Sequence, residues 1–218
     1  MNLIPSKTPC FLKRIFPHYT WSIATQQKEI YLTFDDGPTP EITQAVLKYL
    51  KTYNAKATFF CIGQNVERCP ELFHQLIKDG HAIGNHTYNH EKGWQTPTID
   101  YLKSIKYTQC LINGAFEKHH VTQPLNPLFR PPHGQITNHQ AEAIQNLGYK
   151  IIMWDVLSLD WKTIHKDKQL NKIYKISNSG SILVFHDSVK AAQNMLYMLP
   201  RVLEYFTNNA YHFKPLIL

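Results

Sequence analysis

The stretch Glu29-Ile-Tyr-Leu-Thr-Phe34 runs directly into Asp35-Asp36-Gly37-Pro38, so an apolar, β-branched run stops at residues suited to turning the chain. It reads as a buried strand that delivers two adjacent carboxylates to its C-terminal end. Beyond the turn, Ile42, Ala45, Val46, Leu47, Tyr49 and Leu50 approximate helical spacing over 41–53, with Thr39 and Pro40 placed as N-cap and first helical residue. A second strand follows in Ala57-Thr-Phe-Phe-Cys-Ile62.

The same alternation continues. Spacing predicts a helix over 69–79 closed by Gly80, a short strand over 81–84 and a long helix over 98–117. A linker rich in Pro and His then leads to Phe129. After it come a helix over 138–147 ended by Gly148, a strand over 149–154, a helix over 167–176, a strand over 181–185 and a helix over 189–206. Strands joined in this way by helices run parallel, in a (β/α) barrel or an open α/β sheet.

Composition sets the outer bounds. Of 218 residues, 43% are hydrophobic, 18% charged and 12% aromatic, which excludes disordered, collagen-like and coiled-coil chains. The formal charge of +7 comes from basic residues scattered along the chain. No dense Lys/Arg tract or nucleic-acid-reading motif accompanies them, so a solvated basic surface and no nucleic-acid partner are expected. No apolar stretch approaches the ~18 residues of a membrane span. Lys7, Lys13 and Arg14 interleave with Pro5, Pro9 and Pro17 and leave no apolar core of a secretion signal, so a cytoplasmic location is expected. Cys10, Cys61, Cys69 and Cys110 are too irregularly spaced for a disulfide framework, and free thiols are expected.

Residues with chemical potential recur at strand ends: Asp35 and Asp36, His86 and His90, Arg130, Asp160, and His186 with Asp187. In parallel α/β folds these ends converge on one face. Asp35 and Asp36 would repel one another if buried, unless a cation neutralises them or one holds a proton; Asp-Gly-Pro is also ordinary turn chemistry. His86 and His90, four apart in Gly84-Asn-His-Thr-Tyr-Asn-His90, can meet on one metal, and two imidazoles with one carboxylate leave the open position of a catalytic zinc site. They can equally be surface residues in a chain with 12 histidines. Arg130 lies in Phe129-Arg-Pro-Pro-His-Gly134, a rigid loop able to press a permanent cation on a carboxylate or simply to turn. Trp154-Asp-Val-Leu-Ser-Leu-Asp-Trp161 sets acids among tryptophans, which suits a sugar ring or a packed core. His186 closes Gly180-Ser-Ile-Leu-Val-Phe-His186, where a histidine titrates near neutrality or sits satisfied in a core.

Taken in order, Thr33-Phe-Asp-Asp-Gly37, His86-Thr-Tyr-Asn-His90, Arg130-Pro-Pro-His-Gly134, Asp160-Trp161 and Leu183-Val-Phe-His186 resemble the five motifs of the polysaccharide deacetylases, carbohydrate esterase family 4. The resemblance implies an α/β fold, a distorted (β/α) barrel with fewer strands than a full eightfold barrel. It also implies a catalytic domain over 29–218, with 1–28 as an N-terminal extension packing on or near the barrel. The implied activity is metal-dependent removal of acetyl from N-acetylglucosamine-containing glycans. The implied cofactor is a divalent metal, zinc foremost, with cobalt or nickel as substitutes. Carried over by residue, Asp36, His86 and His90 would hold the metal, Asp35 would be the general base and His186 the general acid. Arg130 would orient Asp35, Asp160 would set the protonation of His186, and His133, Trp161 and Leu183 would line the substrate pocket. The chain departs from the family pattern at His133, where an aromatic such as tyrosine is frequent, and at Leu157, where many relatives carry an aspartate. A C–N hydrolase acting on another amide, and a glycan-binding protein without turnover, are the competing readings.

Overall fold

The computed structural model describes residues 4–122 and 125–218; residues 123 and 124 of the Pro- and His-rich linker lie outside them. In chain order the elements are α1 (Cys10–Ile15), β1 (Glu29–Asp35), α2 (Ile42–Thr52), β2 (Thr58–Cys61), α3 (Gly63–Arg68), α4 (Pro70–Lys78), β3 (Ala82–Asn85) and α5 (Thr98–Lys118). They continue with β4 (Leu128–Phe129), α6 (Asn138–Asn146), β5 (Lys150–Ile151), β6 (Val156–Leu157), α7 (Lys166–Ile176), β7 (Ile182–His186), α8 (Ala192–Asn208) and β8 (His212–Phe213). The strands form one parallel sheet in the order β5-β4-β3-β2-β1-β7-β6, with β8 alongside the start of β1. This is the expected curled barrel short of eightfold closure, with helices packed on its outer face.

Alternation along β1 separates two cores. Ile30, Leu32 and Phe34 belong to the large outer core shared with Val46, Leu50, Leu199 and Val202 of α2 and α8. The intervening Tyr31 belongs to an inner cluster with Phe60, Leu128, Ile152, Ile182 and Leu216, which plugs the barrel. Strands buried on both faces read as continuous apolar runs, which is why β1, β2 and β7 are legible in sequence. Gly84 of β3 has a packing role here, because a Cβ at this position would lie 2.3 Å from the ring of Phe60.

Several elements differ from the sequence expectation. α2 starts at Ile42 because Glu41 takes φ 64, so Thr39 is not its N-cap; Thr39 instead accepts the Thr43 N–H on its carbonyl. The strand expected over 149–154 is only Lys150–Ile151, and β4, β6 and β8, of two residues each, were not foreseen. α3 was also unforeseen; it buries only Gly63 and Val66, too little for an apolar period.

The residues ahead of β1 are hydrogen-bonded into the sheet. Leu157 donates its N–H to Ser6 O and Thr8 donates to Asp155 O, while Thr20 donates to Ile151 O at the end of β5 and accepts from the Met153 N–H just beyond it. Residues 6–8 and 20–23 thus span the interval between the β5 and β6 edges, with a further bridge from Ser22 to Ser181. Lys7 and Lys13 both donate to the buried carboxylate of Asp155 at 2.6 Å, and Ser181 donates to it as well. Burial favours the neutral acid, but the hydrogen bonds from Lys13, Lys7 and Ser181 outweigh it and hold the pKa of Asp155 below its ordinary value. Its stabilising contribution is therefore full above the unfolded pKa of about 4 and lost as pH falls through the lower folded value. Asp155→Ala is expected to cost about 1–3 kcal/mol, less than a fully buried pair because both lysines are partly exposed. Melting curves would register this as a lower Tm at pH 7, with the difference from wild type shrinking below about pH 4.

Candidate metal centre

The C-terminal ends of β1, β3 and β7, with the loops that follow them, gather the titratable residues. Asp35 ends β1 and pairs in register with His186, the last residue of β7. Asp36 follows at φ 81, its backbone carbonyl held by Asn65 Nδ2 at 2.7 Å. His86 and His90 come from the loop after β3, which curls through left-handed residues at Thr87 and His90. Asn85 shapes that loop: its Oδ1 accepts the Thr87 N–H at 3.0 Å and its Nδ2 donates to Ile105 O at 2.8 Å. The four-residue spacing of the histidines is therefore closed by a loop rather than by a helical turn.

Asp36 Oδ1 lies 3.7 Å from His86 Nε2 and 3.3 Å from His90 Nε2. The three residues are the one group among the described residues whose donor atoms cluster as a cation would require. Ligands of a tetrahedral ion bound at 2.0–2.2 Å stand about 3.3–3.6 Å apart, close to the observed spacing. Two further features fit a cation. Asp36 Oδ1 is buried and accepts no hydrogen bond, a costly state for a carboxylate oxygen unless something else neutralises it. His86 Nδ1 is 2.7 Å from Arg130 O; a carbonyl only accepts, so Nδ1 carries the proton and the Nε2 lone pair faces the cluster. Burial, and then the neighbouring His90, press the pKa of His86 well below the usual histidine range, leaving a neutral imidazole.

Asp35, the residue before Asp36, is locked by Arg130. The guanidinium is fully buried and every arm is used: Nη1 donates to Asp35 Oδ1 at 2.6 Å and to Thr33 Oγ1 at 2.7 Å, Nη2 to Met153 O and Nε to Ile152 O. Its flat face lies 4.1 Å from the Phe60 ring centroid. At the end of the neighbouring strand β7, Asp160 grips His186 twice, accepting its backbone N–H on Oδ2 and facing Nδ1 from Oδ1, both at 2.8 Å. Burial alone would lower the pKa of His186, but the charge and hydrogen bond of Asp160, with Asp35 and Asp36 behind, raise it to about 9. Leu159, just ahead, is held at φ 58 to aim Asp160, and Asn194 donates to the Asp160 carbonyl at 2.8 Å.

The surrounding residues divide. Trp161 packs edge-on against His186 with centroids 4.6 Å apart, and His133 packs on His90 at the same distance. Leu183 does not join them. Three residues before His186, it points to the opposite face of β7 and is fully buried in the outer core with Phe34 and Phe185. Val184 shares the face of His186 and clusters with Leu157, Leu159, Trp154 and Trp161, so strand parity moves the pocket position from Leu183 to Val184. Sequence reasoning also left Asp187 without a role. Its buried carboxyl accepts from the Gly37 N–H at 3.1 Å and from the Thr43 hydroxyl, and burial, with Asp36 nearby, raises its pKa to about 7. It fixes the turn that presents Asp36.

A parallel barrel whose strand ends bring an Asp-His-His group together with an arginine-locked carboxylate and a carboxylate-bound histidine has the layout of a hydrolase with a candidate metal site. The family profile described as polysaccharide deacetylase matches residues 22–152, and the chain belongs to that family. It is 34% identical over 200 residues to a peptidoglycan-N-acetylglucosamine deacetylase of Bacillus cereus, covering 90% of each chain. It is 31% identical over 169 residues to a chitooligosaccharide deacetylase of Azorhizobium caulinodans, covering 76% of each. The crystal structure of the Bc1960 peptidoglycan N-acetylglucosamine deacetylase superposes with a TM-score of 0.85 at 29% identity, over 96% of this chain and 95% of that one. Among the described residues no helix is long and apolar enough to cross a membrane.

Metal titration tests the cradle directly. Wild-type protein is expected to take up close to one equivalent of divalent cation, and Asp36→Ala or His86→Ala to weaken uptake at least about 100-fold. Asp35→Asn should bind nearly as wild type, because Asp35 is engaged by Arg130 rather than by the cradle. Calorimetry and elemental analysis after dialysis give the readout.

Proposed function

We propose that this protein removes acetyl groups from N-acetylglucosamine-containing glycans of the peptidoglycan or chito-oligosaccharide type, with Asp36, His86 and His90 holding a zinc ion that cobalt or nickel can replace. The observation that carries the reading is the pairing of Asp35 and His186 in register at the ends of β1 and β7, next to the Asp36 that clusters with His86 and His90. A divalent cation in such a cradle lowers the pKa of a coordinated water and polarises the acetyl carbonyl.

The chain's own groups supply the rest. Asp35, oriented by Arg130, takes a proton from the attacking water. His186, held protonated by Asp160, gives a proton to the departing amine, which is otherwise a poor leaving group. Trp161 and Val184 form the wall on the His186 side, His133 stands beside His90, and a backbone N–H of the Arg130–Gly134 loop serves the developing oxyanion. Because Asp160 rather than bulk water sets the charge of His186, the acid stays loaded through neutral pH.

Mass-resolved product analysis on a panel of N-acetylated glycans and small amides is the test. Loss of one acetyl unit from glycans alone is the expected result; hydrolysis of the other amides alone would overturn it. His186→Ala is expected to lower kcat about 10²–10⁴-fold with metal uptake nearly intact. The pH profile gives a second check. His186 is a competent acid only while protonated, so kcat should fall as pH rises through about 9. Asp160→Asn removes the charge that raises this pKa and should move the alkaline limb to lower pH. The cytoplasmic address is part of the proposal as well, and accumulation of the protein outside the membrane on fractionation would overturn it.

A further inference from the structure

Outside the cradle, Trp94 has an unusual position. It lies in the short 3-10 turn Gly93–Gln95, four residues after His90, and is 66% exposed. An exposed tryptophan is ordinarily free to swing, but here the indole Nε1 donates to Ile136 O at 3.1 Å. Ile136 is three residues past His133, whose ring packs on His90. The two loops are clamped together at this point. Gln140 Nε2 donates to Gly93 O at 2.9 Å and to Thr96 O at 3.0 Å. A Cβ at Gly93 would lie 2.3 Å from Gln135 O, so only glycine allows the approach. A fixed aromatic ring is thereby held open to solvent on the loop pair that carries His90 and His133. Trp161 packs against His186, on the other loop set of the site.

We infer that Trp94 is a stacking platform for a second pyranose ring of the glycan, beyond the residue being deacetylated. This rests on the deacetylase reading above. An indole presents a broad apolar face to the C–H face of a sugar ring, and tying its only polar atom to Ile136 O fixes that face before the ligand arrives, so little rotamer freedom is lost on binding. The ligand class is an oligosaccharide of hexosamine units lying from Trp161 across the cradle to Trp94. Selection would then be for chain length rather than for the acetyl group.

The test compares zinc-loaded wild type, Trp94→Ala and Trp94→Phe on N-acetylglucosamine oligomers from the monosaccharide to the pentasaccharide. Trp94→Ala should raise KM about tenfold for the longer oligomers, a loss on the scale of one aromatic anchor, with kcat within about twofold. It should leave kcat/KM for the shortest substrate turned over unchanged, and Trp94→Phe should recover most of the loss. Equal losses at every length, which a merely structural role through His90 would produce, would overturn the inference, as would no loss on the pentasaccharide. Calorimetric binding of the pentasaccharide separates the two levels of the argument. If no sugar is turned over but affinity still depends on Trp94, the platform stands and the deacetylase reading falls. Affinity independent of Trp94, or no binding, overturns the platform.

Discussion

A fully buried guanidinium paired with a carboxylate is the constraint around which this barrel is arranged. Removing both charges from water costs several kcal/mol per ion, recovered only when the donors are met by partners. Arg130 places four of its five N–H donors on Asp35, Thr33 and the carbonyls of Ile152 and Met153, so one side chain joins β1 to β4 and to the chain leaving β5. Burial lowers the pKa of the guanidinium while the Asp35 carboxylate holds it up, and each charge thereby justifies the other. The shape of the interior follows. Phe60 must lie flat beneath the guanidinium, and it fits there because β3 carries Gly84 at the facing position.

The same pair separates the labours of two adjacent carboxylates. Asp35 is committed to Arg130, whereas Asp36, turned away by a left-handed backbone, has an oxygen with no hydrogen bond and two imidazoles within reach. The chain separates the neighbouring acids by giving Asp35 the Arg130 guanidinium and turning Asp36 towards the two imidazoles. Asp187, beneath the turn, shows the third option: lacking a cation, its pKa rises towards neutrality. Asp160 performs for His186 what Arg130 performs for Asp35, so each of the two register partners is held by a buried partner of opposite charge.

What was legible in the sequence follows from which forces are local. β1 and β7 announce themselves because both faces are buried and turn residues bound them, and the reactive side chains were found because each terminates such a strand or opens the loop after it. Elements decided by distant neighbours were not legible. Val156 and Leu157 become a strand only because β7 and the N-terminal segment pair with them, and α3 lacks the apolar spacing that marks a helix. Leu183 shows a subtler failure. Matching a motif by residue type placed it in the pocket, but the period of two along a strand puts any residue an odd number of steps from His186 on the opposite face. Val184 was available to the same reasoning. His133 and Leu157, the two departures from the family pattern, occupy the site's rim and the small apolar cluster beside Trp161, so they reshape the surroundings of the reaction and leave the cradle alone.

The strap formed by residues 6–8 and 20–23 has a consequence for how the molecule is made. Its hydrogen-bonding partners are Ile151, Met153, Asp155, Leu157, Gly180 and Ser181, all in the latter part of the chain. During translation this segment must therefore wait, unpaired, until its partners more than a hundred residues further along the chain have emerged. Local βα units can assemble as they appear, but the seam between the β5 and β6 edges is sewn late, because it joins residues far apart in the chain.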